Sequence, residues 1–371
     1  VLHEILSNEK MMLQVIKNEL LQIRTSYGDS RKTEIISQEL SELNLEDLIK
    51  DESCVIIFTK NGYIKRTTLS SYKIQNRGTI GRKGLSLKEE DVITRVFVAS
   101  AHENILFFTE KGRLYRLKAY DIPEGDHASR GKPVNRVVGI SDEEKICSVI
   151  NLRDFSPDLF VVMFSRKGYV KKISVSDISR PRAKGINVAA VPENDSLFEA
   201  QITAGDNDII VGTHFGKSIR FSEKDIRQMG RGARGVIAIR MTSDDFLVGA
   251  DIIREEDTYI LAVTENGFGK KSELSLYRKQ TRGGKGILNM RINEHTGKIV
   301  GLVTLNDNND LIVSSEKGVI NKISTDDIRA KGRITQGVTI MSLRKGDKIV
   351  ALEKMDKENA KAWVVFANAP A

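Results

Sequence analysis

The sequence predicts an all-β fold in which six similar blades form a closed, propeller-like ring, preceded by a short helix. Three observations predict this fold. A strand–turn–strand unit recurs six times at spacings of 48 to 56 residues, a loop with a second glycine follows each unit, and a further strand-like segment follows each loop. Such regular self-similarity favours one ring over the several separate domains that 371 residues would otherwise suggest.

Each repeat begins with a short apolar run that ends in a turn at a glycine. These runs are too short and too rich in β-branched and aromatic residues to be buried helices, and glycine suits the turn because it takes positive φ without strain. A lysine or arginine always stands four residues after the turn glycine. The runs are Val55–Phe58, Ile105–Phe108, Phe160–Phe164, Ile209–Val211, Tyr259–Val263 and Leu311–Val313. The turn glycines are Gly62, Gly112, Gly168, Gly216, Gly267 and Gly318.

The third strand-like segment of each repeat completes the pattern. These segments are Val92–Val98, Ile146–Asn151, Leu197–Ile202, Phe246–Ile252, Ile299–Val303 and Ile349–Leu352. The sixth segment has no repeat after it, and the first hairpin has no clear copy before it. We therefore expect the two ends of the repeat region to pair, because closing a ring removes exposed sheet edges.

Two segments lie outside the predicted ring. Residues 1–26 carry apolar residues at helical spacing, from Leu2 to Ile23, which predicts an amphipathic helix. The expected organisation is a helical segment at 1–30, a linker at 31–50, the ring at 51–356 and a tail at 357–371.

Positive charge is concentrated in the six loops that contain the second glycine. Together the six windows hold 19 bases and no acid, and since the chain carries a net charge of +8, the remainder carries −11. We number these loops by repeat. Loop 1 is 75–84, loop 2 is 129–136, loop 3 is 180–185, loop 4 is 227–235, loop 5 is 278–286 and loop 6 is 329–337.

Equivalent positions of a closed ring lie on one rim, so the six loops would form a basic belt. Duplex DNA carries one charge per ~1.7 Å of its axis and is the natural ligand for such a belt. With no recognition helix and no set of stacking aromatics, the pattern predicts binding through the DNA backbone with little base readout. The predicted contacts are Gln75, Arg77, Gly78, Arg82, Lys83, Gly84, Arg130, Lys132, Arg182, Lys184, Arg231, Arg234, Arg282, Lys285 and Arg333.

Other kinds of site find little support in the sequence. Cys54 and Cys147 form no C-x-x-C pair, and the five histidines lack the spacing of metal ligands, so we expect no metal and no cofactor in this domain. Residues 230–235 fit G-x-G-x-x-G, but a strand rather than a helix is expected after them, which argues against a nucleotide site. No apolar stretch approaches the ~20 residues of a membrane span.

Three stretches resemble the C-terminal domain of bacterial DNA gyrase A subunits, with the A subunit of topoisomerase IV as a close relative. They read GYIKRTTLSSYKIQNRG followed by RKG (62–84), ITRVFVASAHENILFFTEKGRLYRLKAYDIP (93–123) and KIVGLVTLNDNNDLIVSSEKGVINKIS (298–324). The resemblance covers about 30–355. It implies a β-pinwheel of six four-stranded antiparallel blades that wraps duplex DNA around its rim and so enables negative supercoiling.

The resemblance also implies a place in a larger enzyme. That enzyme would be an ATP-dependent type IIA topoisomerase of two A and two B subunits in the bacterial cytoplasm, associated with the nucleoid, with ATP and magnesium bound by other regions. Residues 1–30 would be the end of the catalytic core's coiled-coil arm. The sequence shows no region like the DNA-cleaving tyrosine region, so by itself we expect this chain to be a non-catalytic monomer.

Loop 1 departs from the family pattern. The gyrase box of the family, Q-[RK]-R-G-G-[KR]-G, belongs in this loop, but in this chain the loop carries three extra residues between Gln75 and Gly84. A better match, QTRGGKG at 280–286, lies in loop 5. A topoisomerase IV-like role is therefore the first alternative, followed by a propeller that binds an acidic protein and by a propeller enzyme.

Overall fold

The computed structural model describes residues 2–29, 46, 49–59, 61–68, 93–125, 129–141, 144–182, 184–317 and 319–357. The chain divides into two compact units, Val1–Leu48 and Ile49–Ala371. Loop 1 lies outside the described residues, so six of the predicted DNA contacts, Gln75, Arg77, Gly78, Arg82, Lys83 and Gly84, lie outside them as well.

The described residues of the first unit form two α-helices where the sequence predicts one. They are α1 (Leu2–Ser7) and α2 (Glu9–Tyr27). Asn8 separates them because it adopts an extended conformation and its side chain accepts a hydrogen bond from the backbone N–H of Lys10. This is an N-cap, which satisfies a donor that the first turn of a helix leaves free. Apolar side chains of α2, such as Leu20 and Ile23, are exposed.

The second unit is built almost entirely of strands. Its first half contains β1 (Ser53–Thr59), β2 (Tyr63–Thr68), β3 (Ile93–Ser100), β4 (Asn104–Thr109), β5 (Arg113–Lys118), β6 (Lys132–Pro133), the short helix α3 (Val134–Val138), β7 (Ile146–Leu152), β8 (Phe160–Ser165), β9 (Tyr169–Ser174), β10 (Ile186–Asn187) and β11 (Leu197–Thr203). Its second half contains β12 (Asp208–Thr213), β13 (Lys217–Ser222), β14 (Val236–Ile237), β15 (Leu247–Ile253), β16 (Tyr259–Thr264), β17 (Phe268–Glu273), β18 (Lys279–Gln280), β19 (Ile287–Leu288), β20 (Ile299–Leu305), β21 (Asn309–Ser315), β22 (Ile320–Ser324), β23 (Val338–Thr339) and β24 (Ile349–Asp356).

The six predicted hairpins and the six third strands are confirmed, and they form six sheets. In each sheet the third strand pairs antiparallel with the first strand of its own hairpin, as β3 does with β1 and β24 with β21. Third strands contact one another from β7 through β11, β15 and β20 to β24, and β24 contacts β3, so they line one edge of the ring. The core cluster shared by the first and second blades completes the ring.

The predicted pairing between the two ends of the repeat region is wrong. The first hairpin takes β3 as its partner and the last strand pairs with β21, so each belongs to a sheet of its own repeat. A third strand such as β3 lies closer in sequence to the next hairpin than to its own, which favours assigning it to the following repeat, whereas in the structure it pairs with its own hairpin.

A short strand that follows the second glycine joins the repeats instead. β6 pairs with β2, β10 with β5, β14 with β9, β19 with β13 and β23 with β17. Each of loops 2 to 6 therefore adds the outermost strand to the blade that precedes its own repeat. Within the described residues the fourth blade has a fifth strand, β18, and the sixth blade has three strands.

The hydrophobic core lies between neighbouring blades. Ile56 of the first blade shares one cluster with Phe107 of the second, and Phe164 of the third shares another with Phe221 of the fourth. The central strands are apolar without alternation because both of their faces are covered, and burying each such side chain stabilises the fold by roughly 1.5–3 kcal/mol. This two-sided packing fixes the blades, and the blades fix the position of each loop.

Candidate nucleic-acid interface

The second glycine places loops 2 to 6 at equivalent positions in the ring. All five glycines have positive φ, between 69° and 108°. A Cβ atom on any of them would lie 2.4–3.0 Å from a backbone carbonyl oxygen of the preceding repeat. In each case that carbonyl belongs to the residue two positions after the turn glycine. Only glycine accommodates both constraints without strain. The glycines and the residues whose carbonyls they approach are Gly131 with Ile64, Gly185 with Leu114, Gly235 with Val170, Gly286 with Ser218 and Gly337 with Gly269.

Backbone hydrogen bonds connect loops 3 to 6 to one another. The N–H of Ala190, just after loop 3, donates to the carbonyl of Ala233 in loop 4 at 3.2 Å. In the same register, Arg240 donates to Gly284 at 2.9 Å and Arg291 donates to Thr335 at 3.2 Å. Loops 3 to 6 and the residues that follow each of them therefore form a continuous strip, which we call the outer strip.

Most of the bases in these loops face solvent. Loops 2 to 6 contain 16 bases, of which 13 are exposed and three, Arg130, Arg282 and Arg333, are half-buried. Lys279 forms an ion pair with Asp208 at 2.6 Å. The bases of loops 3 and 4 form no ion pair with any acid among the described residues. Apart from Lys279, no base of loops 3 to 6 forms an ion pair with a described acid, so the outer strip is a positively charged surface that nearby carboxylates largely leave unpaired.

Two of the predicted contacts stack closely on tyrosine rings, and a third, Arg333, lies 6.0 Å from the ring centre of Tyr277. The guanidinium carbon of Arg130 is 3.8 Å from the ring centre of Tyr63, and that of Arg234 is 3.8 Å from the ring centre of Tyr169. Stacking on the ring covers one face of the planar guanidinium group. The N–H groups at its edge can still donate to a phosphate oxygen. Arg234 is exposed and Arg130 is half-buried, and the other exposed predicted contacts are Lys132, Arg182, Lys184, Arg231 and Lys285.

Arg282 and Arg333 instead donate to backbone carbonyls of the protein. The Nε of Arg282 lies 2.9 Å from the carbonyl oxygen of Asp225, and its Nη1 lies 3.2 Å from that of Ile237. The Nη1 of Arg333 lies 2.6 Å from the carbonyl oxygen of Leu288. These two arginines hold neighbouring parts of the outer strip together.

Three buried lysines beneath the loops were missed by the sequence analysis. Lys65, Lys171 and Lys270 are each 1% exposed, and their amines donate to loop carbonyls. Lys171 bonds to the carbonyls of Val188, Arg231 and Ala233 at 2.6–2.9 Å, Lys65 to Ser129 at 3.0 Å, and Lys270 to Asn289 and Arg333. The signal was present, because each stands three residues after the turn glycine of repeats 1, 3 and 5.

Burial changes the protonation of two of these amines. It lowers the pKa of Lys171 to about 8 and that of Lys270 to about 7, because a charged amine loses hydration inside the protein. The three N–H donors of an ammonium suit the three carbonyls around Lys171. These lysines anchor loops 4 and 6 from below and do not face the outer strip.

The base four residues after each turn glycine has a different task. Arg116 donates to the carbonyl of Ser179 at 2.7 Å, and Lys271 donates to that of Thr325 at 2.7 Å. Lys172 lies 3.5 Å from Oε1 of the fully buried Glu223. Each of these three acceptors belongs to the next repeat, so these bases join consecutive blades.

The described residues show no features of a metal site, a nucleotide site or a membrane span. Across the described ranges no group of three or more histidine, cysteine, aspartate or glutamate residues could hold a metal ion. Both cysteines are free thiols. Residues 230–235 lead into strand β14, as expected, and not into a helix. None of the described helices is long and apolar enough to cross a membrane.

These features define a class of protein, a six-bladed propeller-like ring with a basic outer strip. The chain belongs to the family described as "DNA gyrase C-terminal domain, beta-propeller", whose model matches residues 55–100, 103–152, 160–204, 207–254, 258–306 and 309–354. The resemblance found in the sequence is thereby confirmed. The six matched segments coincide with the six blades.

Known proteins support the same assignment. The chain is 39% identical to the DNA gyrase A subunit of Staphylococcus epidermidis over 360 residues and 38% identical to that of Staphylococcus aureus over 361 residues. It aligns over 96–97% of its own length but spans only about 40% of theirs.

Solved structures share the fold. A topoisomerase IV C-terminal domain superposes with a TM-score of 0.73 at 24% identity, covering 84% of this chain and 96% of that one. A DNA gyrase A C-terminal domain superposes with a TM-score of 0.67 at 23% identity, covering 82% and 100%.

Proposed function

We propose that this domain binds duplex DNA along the outer strip, without sequence specificity, and bends it around the ring. The observation that carries the proposal is the hydrogen-bonded series of loops 3 to 6, whose bases are mostly exposed and, except for Lys279, not paired with described acids. A duplex presents phosphates at regular intervals, and a curved series of equivalent cationic loops can meet them one after another. Wrapping follows if the duplex keeps touching successive loops, since the additional phosphate interactions offset the cost of bending.

The described strip has features for phosphate contact and few for reading bases. Positive groups and backbone N–H groups of glycine-containing loops contact phosphates and do not report sequence. The loops are also held from below by Lys171 and Lys270, so little ordering is needed when DNA binds. We therefore infer electrostatic binding whose affinity falls steeply with salt, by ~0.9 in log K per log salt for each neutralised phosphate.

At the level of the whole enzyme, we infer a role as the wrapping domain of a DNA gyrase A subunit. The curated relatives at 38–39% identity are gyrase A subunits, which favours gyrase over topoisomerase IV. In this role the domain would act with the A-subunit catalytic core and the B subunit on cytoplasmic, nucleoid DNA. Strand cleavage, ATP hydrolysis and magnesium binding would belong to other regions.

A supercoiling assay tests both levels of the proposal. The A subunit with and without this domain would be combined with the B subunit, relaxed plasmid and ATP. We expect negative supercoils only with the domain present, whereas relaxation of supercoiled plasmid persists without it. Equal supercoiling by both forms would contradict a wrapping role, and relaxation without supercoiling by the complete enzyme would indicate a topoisomerase IV.

Binding by the isolated chain is tested separately. A nicked plasmid would be ligated in its presence and the linking number of the product measured after the protein is removed. Wrapping predicts a shift in linking number that grows with protein concentration. Binding without a shift would contradict wrapping, and no binding to DNA at low salt would leave an acidic protein as the better candidate partner.

A further inference from the structure

We propose that Arg282 and Arg333 are positioning residues that lock loops 4, 5 and 6 into one strip, whereas Arg231 contacts DNA phosphate directly. The inference rests on the proposed DNA binding and refines it, because the sequence alone predicts direct contact for all three arginines. They occupy the same register, each four residues before the second glycine of its loop. What separates them is the set of atoms that each guanidinium meets.

The lock is the same interaction formed twice. Arg282 of loop 5 donates to the carbonyl of Ile237, and Arg333 of loop 6 donates to the carbonyl of Leu288. Each acceptor stands two residues after the second glycine of the preceding loop, in the short strand β14 or β19. Each arginine thus ties its own loop to the outermost strand that the preceding loop adds, β14 of the third blade for Arg282 and β19 of the fourth blade for Arg333. The recurrence at two positions argues against a chance contact.

Arg282 has further support around it. Its Nε donates to the carbonyl of Asp225, so the planar fork spans two segments of the fourth repeat. The neighbouring N–H of Gly283 donates to the carbonyl of Ala238 at 2.6 Å, and the N–H of Arg240 donates to the carbonyl of Gly284 at 2.9 Å. Side chain and backbone therefore secure the same junction between loops 4 and 5. A lysine is a poor substitute for this fork, because Arg282 meets the two carbonyls with two different nitrogens, Nε and Nη1, whereas lysine has one shorter-reaching charged nitrogen.

Arg231 presents the contrasting case. Its side chain is exposed, and among the described residues no hydrogen bond, ion pair or aromatic contact of its guanidinium is found. Only its backbone carbonyl is engaged, as an acceptor for Lys171. The backbone beneath it is thus fixed while the charged group stays free, which is the arrangement expected of a phosphate ligand.

The functional value of the lock is preorganisation. Loops that are already joined lose little conformational freedom when DNA binds, so more of the interaction energy appears as affinity. The carbonyls of Ile237 and Leu288 would face solvent or DNA without a donor if the arginines were replaced. A carbonyl turned toward phosphate would also repel it, so removing the lock weakens binding even where the charge is kept.

The test compares charge-conserving substitutions at the matched positions. For R282K and R333K we expect DNA affinity to fall several-fold at constant net charge, and for R231K we expect affinity close to that of the wild type. R231Q should lower the salt dependence of log K by ~1, as loss of one phosphate contact predicts. The thermal midpoint of each variant shows whether the fold is retained.

Hydrogen exchange of the free protein gives a readout that does not depend on DNA. The amides of Gly283 and Arg240 should exchange faster in R282K and R282Q than in the wild type, and at the wild-type rate in R231K. The lock would be overturned if amide exchange were unchanged in R282K and R282Q and if R282K kept the wild-type DNA affinity. A salt dependence of log K lowered by ~1 in R282Q would then make Arg282 a phosphate ligand. Failure of the wild type to bind DNA would defeat the proposed function, while the exchange result would still decide the lock.

Discussion

Two sets of bases recur in this molecule, and they have opposite surroundings. The hairpin bases, four residues after each turn glycine, are buried or half-buried in five of the six repeats and bond to carbonyls or acids, as Lys271 does with Thr325 and Lys172 with Glu223. The loop bases are mostly exposed, and those of loops 3 and 4 pair with no described acid. Lysine and arginine thus bond to other parts of the protein at the hairpin positions, whereas at the loop positions they form a charged outer surface.

The difference shows that the role of a charged residue in a repeat protein depends on which groups its side chain contacts. Counting the charges does not reveal that role. The net charge of +8 contains both sets, yet only unpaired, exposed bases attract a polyanion. Arg282 and Arg333 add a third category, because they belong to the loops but bond to protein carbonyls. Each category predicts a different response to substitution.

Substitution of a hairpin base should have the largest effect on stability. Lys172 pairs with Glu223, and both side chains are buried. K172A would leave an uncompensated carboxylate, so we expect the free energy of unfolding to fall by about 3–5 kcal/mol. Urea denaturation measures it, with the exposed K184A as the matched control. Equal stability of the two variants would remove the distinction between the two sets.

Stability should also depend on pH through a buried lysine of the hairpins. Because burial lowers the pKa of Lys270 to about 7, the folded state binds fewer protons than the unfolded state between pH 7 and the ordinary lysine value of 10.5. The free energy of unfolding should therefore rise with pH through this window, by at most about 1.4 kcal/mol per pH unit, and be flat below it. K270M should lose this contribution. An identical pH profile in wild type and variant would contradict it.

Charge reversal in a loop should affect DNA binding and leave the fold intact. Arg182 and Lys184 are exposed in loop 3. For the double variant R182E/K184E we expect roughly tenfold weaker binding to duplex DNA, about 1.4 kcal/mol, with an unchanged thermal midpoint. Fluorescence anisotropy at several salt concentrations measures the change. Wild-type affinity would take loop 3 out of the interface.

Alanine substitution of two glycines in loop 4 should have the smallest effect of these changes. It should also separate DNA binding from folding most clearly. A Cβ at Gly230 or Gly232 would meet nothing within 4 Å, and neither has positive φ, so folding does not require glycine there. G230A/G232A should keep or gain stability, by up to ~1 kcal/mol, while weakening DNA binding a few-fold because the backbone can no longer approach a phosphate closely. G235A is the control, since Gly235 has φ 108° and a Cβ there would lie 2.6 Å from the carbonyl of Val170. Unaltered DNA affinity in G230A/G232A would place these glycines away from the duplex.

The repeat predicted the hairpins and third strands because each is a local pattern of several residues. It did not predict where the outermost strands pair, since a two-residue strand such as β10 has no periodicity and its partner lies in another repeat. Nor did it predict Lys171 and Lys270, because a buried charge depends on carbonyls that the fold brings together. The loop bases were found by their position, but sequence cannot distinguish Arg231 from Arg282, whose difference lies entirely in tertiary contacts.

The central claim is that the loops act as one continuous surface, and DNA length tests it most directly. The affinity of the chain and its salt dependence would be measured for duplexes from about 10 to about 50 base pairs, or one to about five helical turns. A continuous outer strip predicts that the number of neutralised phosphates, read from the slope of log K against log salt, rises with length and then reaches a plateau. A slope that stays at the value of the shortest duplex would show that the loops bind DNA separately, and would contradict the account.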